Sequence, residues 1–447
     1  AINSGMWSFI VAFLLVMLYM IFYYGLIPGL MADTALLINV FFLMGILASF
    51  GAVLTLPGIA GIVLTLGMAV DGNVLIYERV REEIEAGKNM KKAIHDGFNN
   101  AISAIIDANV TTLITGIVLF IFGQGPIKGF ATTLIIGIVT SFITSVFITR
   151  LMLETYANRK NAKDLAFTTG ATKSWFQNWK IDFIAKRKIA YMVSIGLIVI
   201  ALLGFGLRGL SLGIDFSGGR NYIVQFDQQV NTEDVRAMLE NTFEDATTQV
   251  ISIGNNKDKV RISTKYKIDD TSENVEEEIV GKLYTDLKPL IGDNTLAEFT
   301  QKNIVNSQKV GPTIADDIKV SSIWAVLISL LLVSIYILIR FNDFAFSVGA
   351  MFSIAHDVIL IIGAFALLWG IMPFSMEVDQ QFIAAILTYV GFSVNDTVVI
   401  FDRIREHIGL FPKRDRKEII NDALNETLSR TFSTSMSVMV VLLAIFF

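Results

Sequence analysis

Ten hydrophobic runs, each about as long as a bilayer is thick, constrain this 447-residue chain more than any other feature. They lie at about 6–25, 35–55, 57–77, 101–123, 127–153, 189–210, 319–340, 343–370, 379–402 and 431–447. A helical crossing needs roughly 20 apolar residues, because hydrocarbon offers no partner for backbone N–H and C=O groups. The expected fold class is therefore a polytopic α-helical membrane protein. Composition agrees, with 53% hydrophobic and 17% charged residues, against about 25% charged in an ordinary soluble domain. The absence of Cys excludes disulfides and thiolate chemistry, and three His leave little for a His-built metal centre. No metal, cofactor or enzymatic activity is expected, and nothing points to nucleic acid.

Lys and Arg set the expected orientation. Segments 79–92, 150–188 and 403–430 are rich in both, whereas Thr55–Gly58, Gly123–Pro126 and Gly370–Asp379 carry none. The two sets alternate as the spans require, so the basic loops are expected in the cytoplasm. Residues 211–318, with net charge −8 against +3 for the remainder, then face the other side. This stretch reads as strand Tyr222–Phe226, a helix from Asn231 or Thr232 to about Phe243, strands Val250–Ile253 and Val260–Thr264 joined by a turn at Gly254-Asn255-Asn256, a helix over about Ser272–Leu290, and a strand over about 297–305. That order is the split βαβ, ferredoxin-like pattern, which by itself says little about chemistry.

A parallel internal repeat divides the chain. Shifted by 324, Pro57–Glu82 overlies Gln381–Glu406 with ten of 26 positions identical, ending in a shared Arg-x-Arg-Glu. Asn99–Ala104 matches Asn425–Arg430 at a shift of 326. Two halves in the same orientation imply pseudo-symmetry about an axis along the membrane normal. The expected organisation is a first half at 1–155, comprising its second to sixth spans, then a basic linker at 156–188. The second half follows, with its first span at 189–210, an external α+β domain at 211–318 and further spans at 319–447. A complete pair of halves would hold twelve spans and two external domains, so the chain is expected to be part of a longer one.

Ionisable residues within the spans need an explanation, since a carboxylate at the centre of a helix costs about 2.5–3.5 kcal/mol even on the lenient insertion scale. Asp71 and Asp396 fall at near-equivalent places in the two halves, one residue out of register. Arg430, opposite Ala104 in the repeat, supplies the counter-charge from one half only. Two carboxylates and a guanidinium form a site that can exchange a proton or Na⁺; the plainer reading is a static pair, Asp396 with Arg430, that fixes helix packing. Asp107, Asn109, Asn395, Thr397 and the adjacent His356 and Asp357 form a possible secondary polar network. Arg79, Arg81, Arg403 and Arg405 read as anchors at the membrane interface, with Glu78 and Asp402 as local partners. Gly58, Gly61, Gly67 and Gly391 read as points of close helix approach. Gly213–Gly219 is a poor nucleotide loop because no strand precedes it and no helix is expected to follow, so an ion gradient remains as the energy source.

The motifs themselves resemble a known family. Leu56–Leu64 leading to Val70-Asp71-Gly72-Asn73-Val74-Leu75-Ile76, and Asp107-Ala108-Asn109-Val110-Thr111-Thr112 after it, are similar to SecD. Gly213-Ile214-Asp215-Phe216-Ser217-Gly218-Gly219, Val310-Gly311-Pro312, Ala355-His356-Asp357-Val358 and Asn395–Glu406 are similar to SecF. The resemblance to the SecDF family covers nearly the whole chain, SecD-like to about residue 155 and SecF-like after it, and lacks the first SecD span and large external domain. It implies an accessory subunit of the Sec translocon in the bacterial inner membrane, a resistance-nodulation-division relative that uses the proton or sodium gradient to draw a preprotein out on the periplasmic side. The family's ion-pathway residues fall on Asp71, Asp396 and Arg430. Other readings are a proton-driven exporter of a small molecule or lipid, and a passive scaffold of the translocon.

Overall fold

The computed structural model describes residues 2–52, 55–160, 163–173, 175, 179–243, 248–253, 257–270, 272, 274–372 and 374–446. Among them ten helices are long and apolar enough to cross a membrane, matching the ten hydrophobic runs in number. The chain divides into two compact units. One comprises Ala1–Ser194, Ala325–Ala355 and Ala384–Phe447, and the other Ile195–Trp324 and His356–Ile383.

The first unit is a helical bundle. It contains α1 (Ile2–Tyr24), α2 (Leu26–Ser49), α3 (Leu56–Glu85), α4 (Met90–Phe122), α5 (Pro126–Ile143) and α6 (Thr149–Ala157), with a π-helical turn at Thr144–Ile148 joining the last two. Several helices outrun the apolar stretches that announce them. Thr55 caps α3 by accepting from the Gly58 N–H at 3.1 Å, and Pro57 occupies the first turn, where no N–H is needed. At its other end α3 reaches Glu85 because Arg81 pairs with Glu78 and Glu85 along one face. Asn89 caps α4 through the Lys92 N–H at 3.0 Å, so α4 begins well before residue 101. Helix α2 starts at Leu26 and not at 35, since Pro28 lies in its first turn and is tolerated there.

Small residues let these helices close together. A β carbon at Gly391 would lie 2.7 Å from Thr115 Oγ1 and 3.1 Å from Thr112 Cα on α4. One at Gly61 would collide with Thr133 on α5, and one at Gly72 would lie 2.7 Å from Ser145 Oγ in the π-helical turn. Gly67 packs on Val438 and Val441, whereas Gly58 is nearest its own capping Thr55.

The second unit carries the α/β domain. After α7 (Phe183–Arg208) and the short α8 (Ile214–Ser217) come β1 (Gly219–Gln225), α9 (Thr232–Met238), β2 (Thr248–Ile253), β3 (Lys259–Thr264), α10 (Asn274–Ile291), α11 (Leu296–Glu298) and β4 (Ile304–Val310). The sheet is antiparallel in the order β2-β3-β1-β4, the ferredoxin-like arrangement. Tyr222, Val224 and Phe226 point to one face as their period of two requires, and cluster with Val235 of α9, Leu239 just past its end, and Val275, Ile279, Leu283 and Leu287 of α10. The last strand is not at 297–305. Thr295 and Glu298 form a capping box that turns residues 296–303 into helix, and β4 starts only at Ile304. The expected turn at 254–256 lies outside the described residues.

Helices α12 (Pro312–Phe341), α13 (Phe344–Leu368), α14 (Gln380–Leu410) and α15 (Arg416–Phe446) complete the chain. Within the second unit the α/β domain is tied to the segment between α13 and α14. Gly213 donates to Val378 O at 2.9 Å and Val378 to Ser211 O at 2.7 Å. Arg261 on β3 pairs with Glu377 at 2.5 Å and reaches Ser375 at 3.0 Å. Asp215 accepts from the Gln380 N–H at 3.2 Å, and Asp379 caps α14 through Phe382 at 2.9 Å. Burial raises the Asp215, Glu377 and Asp379 carboxyls above their ordinary range, and the Arg261 charge pulls each back down.

Gly391→Val should lower the thermal midpoint in detergent by the equivalent of about 1–3 kcal/mol, the usual cost of overpacking. Gly409→Ala, where nothing lies within 4 Å, should leave the midpoint in place or raise it. At the domain tie the sign with pH follows from the raised carboxyls. A carboxyl whose pKa is higher in the folded state loses its stabilising contribution as pH climbs through that value. Arg261→Ala removes the opposing attraction, so its midpoint should fall further below that of the native protein at about pH 8 than at about pH 5.

Candidate functional site

Asp71 lies 14 residues beyond Pro57 on α3, about 21 Å along the helix, and is 8% exposed. Its counterpart in the repeat, at a shift of 324, is Asn395 on α14. The two meet: Asn395 Nδ2 donates to Asp71 Oδ2 in a short hydrogen bond. The other carboxylate oxygen faces Arg430 Nη2 of α15 at 3.9 Å. Among the described residues neither this oxygen nor any of the three buried guanidinium nitrogens of Arg430 has a hydrogen-bond partner. The pair is thus close enough to attract and too far apart to bond. Beside it is a cavity of about 30 Å³ lined by Asp71, Asn395, Asn109, Thr112, Ser141 and Ser145 among others. A water needs about 10–15 Å³, so the site has room for one or two.

Asp396 is placed differently from the static pair considered above. It is half-buried and accepts only a long hydrogen bond, 3.5 Å, from Thr434, and among the described residues no cation lies within 4.0 Å of it. Arg430 pairs with Asp71 across the repeat, not with Asp396. The one-residue offset is the cause: Asn395 takes the position that faces Asp71, and the next side chain is turned about 100° around the helix. Asp396 still feels the attraction of Arg430 and the repulsion of Asp71.

The other polar residues separate. Asp107 on α4 accepts from Arg340 Nε and Tyr336 Oη of α12, both at 2.7 Å, and Arg340 also donates to Ser103. Asn109 lines the cavity while its amide donates to Ile105 O on its own helix at 2.7 Å. Thr397 donates to Ser393 O one turn back at 3.1 Å. His356 Nδ1 and its neighbour Asp357 meet at 2.9 Å, in the second unit. Arg81 with Glu78 and Arg405 with Asp402 are local pairs as expected. Arg79 and Arg403 are not simple interface anchors, since both are largely buried and reach across to the other half.

The family described as protein export membrane protein SecD/SecF, C-terminal, matches residues 1–159 and 292–447. The SecD/SecF GG motif matches residues 204–230. The chain belongs to the SecD/SecF family. It is 34% identical to the protein translocase subunit SecDF of Bacillus subtilis over all of its own length and 59% of that protein. The crystal structure of SecDF from Thermus thermophilus, described as a translocon-associated membrane protein, superposes with a TM-score of 0.85 at 32% identity, covering 99% of this chain and 57% of that one. A SecDF structure in the super-membrane-facing form superposes with a TM-score of 0.74 at 33% identity, over 100% of this chain and 57% of that one. The chain therefore spans a little over half the length of these SecDF relatives.

In this SecD/SecF chain some polar groups escaped notice in the sequence. Arg340 closes a long apolar run and looked unremarkable there, although Tyr336 one turn earlier on the same face is a usable signal. Asp33 on α2 is 2% exposed, with neither oxygen hydrogen-bonded. It is the only acidic residue in the first 70, which was signal enough. Tyr19, Tyr23 and Tyr24 of α1 bond Ser429 and Ser433 of α15 and have no sequence signature beyond their clustering.

Asp107→Asn leaves Arg340 without its counter-charge and should lower stability by about 1–3 kcal/mol, read as thermal midpoint in detergent. The paired change Asp107→Leu with Arg340→Met should recover part of that loss, because apolar side chains of similar size commonly replace a buried ion pair without penalty.

Proposed function

We propose that this chain forms the membrane portion of an accessory subunit of the Sec translocase, one that uses a proton or sodium gradient to promote preprotein export. The observation that carries the reading is the buried Asp71–Arg430 pair with Asn395, contributed by both halves of the repeat beside a cavity large enough for one or two waters. Its relatives named as translocase subunits, and the neighbour described as translocon-associated, supply the biological setting.

The geometry supplies a coupling step. With Asp71 ionised, Arg430 is held toward α3. A proton or Na⁺ on Asp71 cancels that attraction and leaves a buried guanidinium without a counter-charge, which is strongly unfavourable. The nearest remaining acid is Asp396 on α14, already held by Thr434 of the same helix as Arg430. Arg430 then shifts toward Asp396, and α15 changes its relation to α3. Each ion passing Asp71 thus moves a helix. In this reading the basic loops lie in the cytoplasm of a bacterium, the acidic α/β domain faces the periplasm, and the helices lie in the inner membrane among its lipids. The translocon channel is the partner and the emerging preprotein the load; the coupling ion alone serves the site, with no further cofactor.

Asp71→Asn keeps the shape and removes the exchangeable charge. Preprotein export into inverted vesicles, measured with the proton and sodium gradients collapsed separately, should lose its dependence on the coupling gradient in this variant. In the native protein export should fall when one of the two gradients is collapsed and not when the other is. Undiminished gradient dependence in Asp71→Asn would refute the reading.

A further inference from the structure

Toward the basic loops from Asp71, α3 and α14 are joined again. Arg79 on α3 pairs with Glu406 on α14 at 3.3 Å, and Arg403 on α14 pairs with Glu82 on α3 at 3.0 Å. Each arginine also holds the glutamate three residues on in its own helix, again at 3.0 Å. Arg79 and Arg403 are equivalent under the 324 shift, as are Glu82 and Glu406. The result is a reciprocal brace in which every member touches both its own half and the other. The arginine side chains are 10% and 12% exposed and the glutamates 41%, so the brace lies at the boundary between the buried interior and solvent. Each guanidinium spreads its nitrogens over different carboxylates, so the pairs form a connected network and not isolated contacts.

Its position matters. Arg79 is eight residues past Asp71 and Arg403 seven past Asp396, so the brace lies about 10–12 Å from the carboxylates along both helices. Between the two levels Val74 of α3 and Val399 of α14 are buried in one apolar cluster. Beyond this apolar level lies the charged clasp made by α3 and α14. The brace is also uneven: Arg403 takes a third carboxylate, Glu426 of α15, at 2.7 Å, where the repeat has Asn100 instead. The clasp is thereby linked to the helix that carries Arg430.

We infer that Arg79, Glu82, Arg403 and Glu406 are the gate on the basic-loop side of the ion path, closed in this structure and opened when α3 and α14 part. The inference rests on the proposed ion coupling at Asp71. Its logic is that of an alternating barrier: a site that exchanges ions with one face must be shut from the other, and the shutter must break and reform in each cycle. Four ion pairs that are individually modest suit that role, since each can be given up to water as the halves separate.

The chain has no cysteine, which permits a clean test. Arg79→Cys with Glu406→Cys, bridged by a short reducible bis-methanethiosulfonate linker, fixes the clasp in the full chain reconstituted in proteoliposomes. Bridging should abolish ion flux, and reduction of the same sample should restore it. Conversely, Glu82→Gln with Glu406→Gln should raise passive ion leak, and adding Asp71→Asn should remove that leak. Undiminished flux in the bridged sample, or no leak in the double glutamine variant, overturns the gate. If native flux does not depend on Asp71 at all, the coupling proposal itself fails. If it depends on Asp71 but ignores the bridge, only the gate is wrong.

Discussion

A guanidinium in a low-dielectric interior without a hydrogen bond of its own is the constraint around which the first unit is arranged. Arg430 is 5% exposed and its nearest carboxylate stops at 3.9 Å. Removing a charge from water costs several kcal/mol even after relaxation, so this residue requires a carboxylate nearby at every moment. Two are available, on different helices. One cation near two acids, with Asp71 the closer in this structure, is the geometry on which the proposed coupling of ion binding to helix movement rests.

The surrounding structure serves this constraint in recognisable ways. Close approach at Gly67 and Gly391 brings the two halves together, while Gly61 and Gly72 let α3 close on α5 and the π-helical turn within the first half. The π-helical turn at Thr144–Ile148 lies where Gly72 packs on Ser145, next to the cavity beside Asp71, and such turns are frequent at functional positions in helices. Thr and Ser hydroxyls near the site mostly bond carbonyls of their own helices, as Thr111, Thr112 and Thr115 do, which leaves the few charged groups without competing partners. Arg340 and Tyr336 both bond Asp107 Oδ1 at 2.7 Å, a direct contact that the Asp71–Arg430 pair at 3.9 Å lacks.

Much of this was legible in the sequence because the signals were physical and local. Apolar length gave the ten crossings, period-two alternation gave the buried face of Tyr222, Val224 and Phe226, and the cost of an ionised group in hydrocarbon singled out Asp71, Asp396 and Arg430. What escaped depended on contacts between elements or on polar signals that override apolar ones. The capping box at Thr295 and Glu298 outweighed an apparent strand. The one-residue offset of the repeat put Asn395, not Asp396, opposite Asp71. Charged helix ends extended α3, α4 and α15 beyond their hydrophobic runs because i,i+3 and i,i+4 pairs and caps sustain a helix where hydropathy gives no signal.

The central claim is that ion occupancy at Asp71 displaces charge within the bundle. Transient currents from the reconstituted chain on a solid-supported membrane, evoked by a rapid jump in proton or sodium concentration, read that displacement without any secretion partner. A charge movement that follows one ion and disappears on replacing the Asp71 carboxylate by an amide is the result the account requires. A movement of equal size after that replacement would place the ion elsewhere and contradict it.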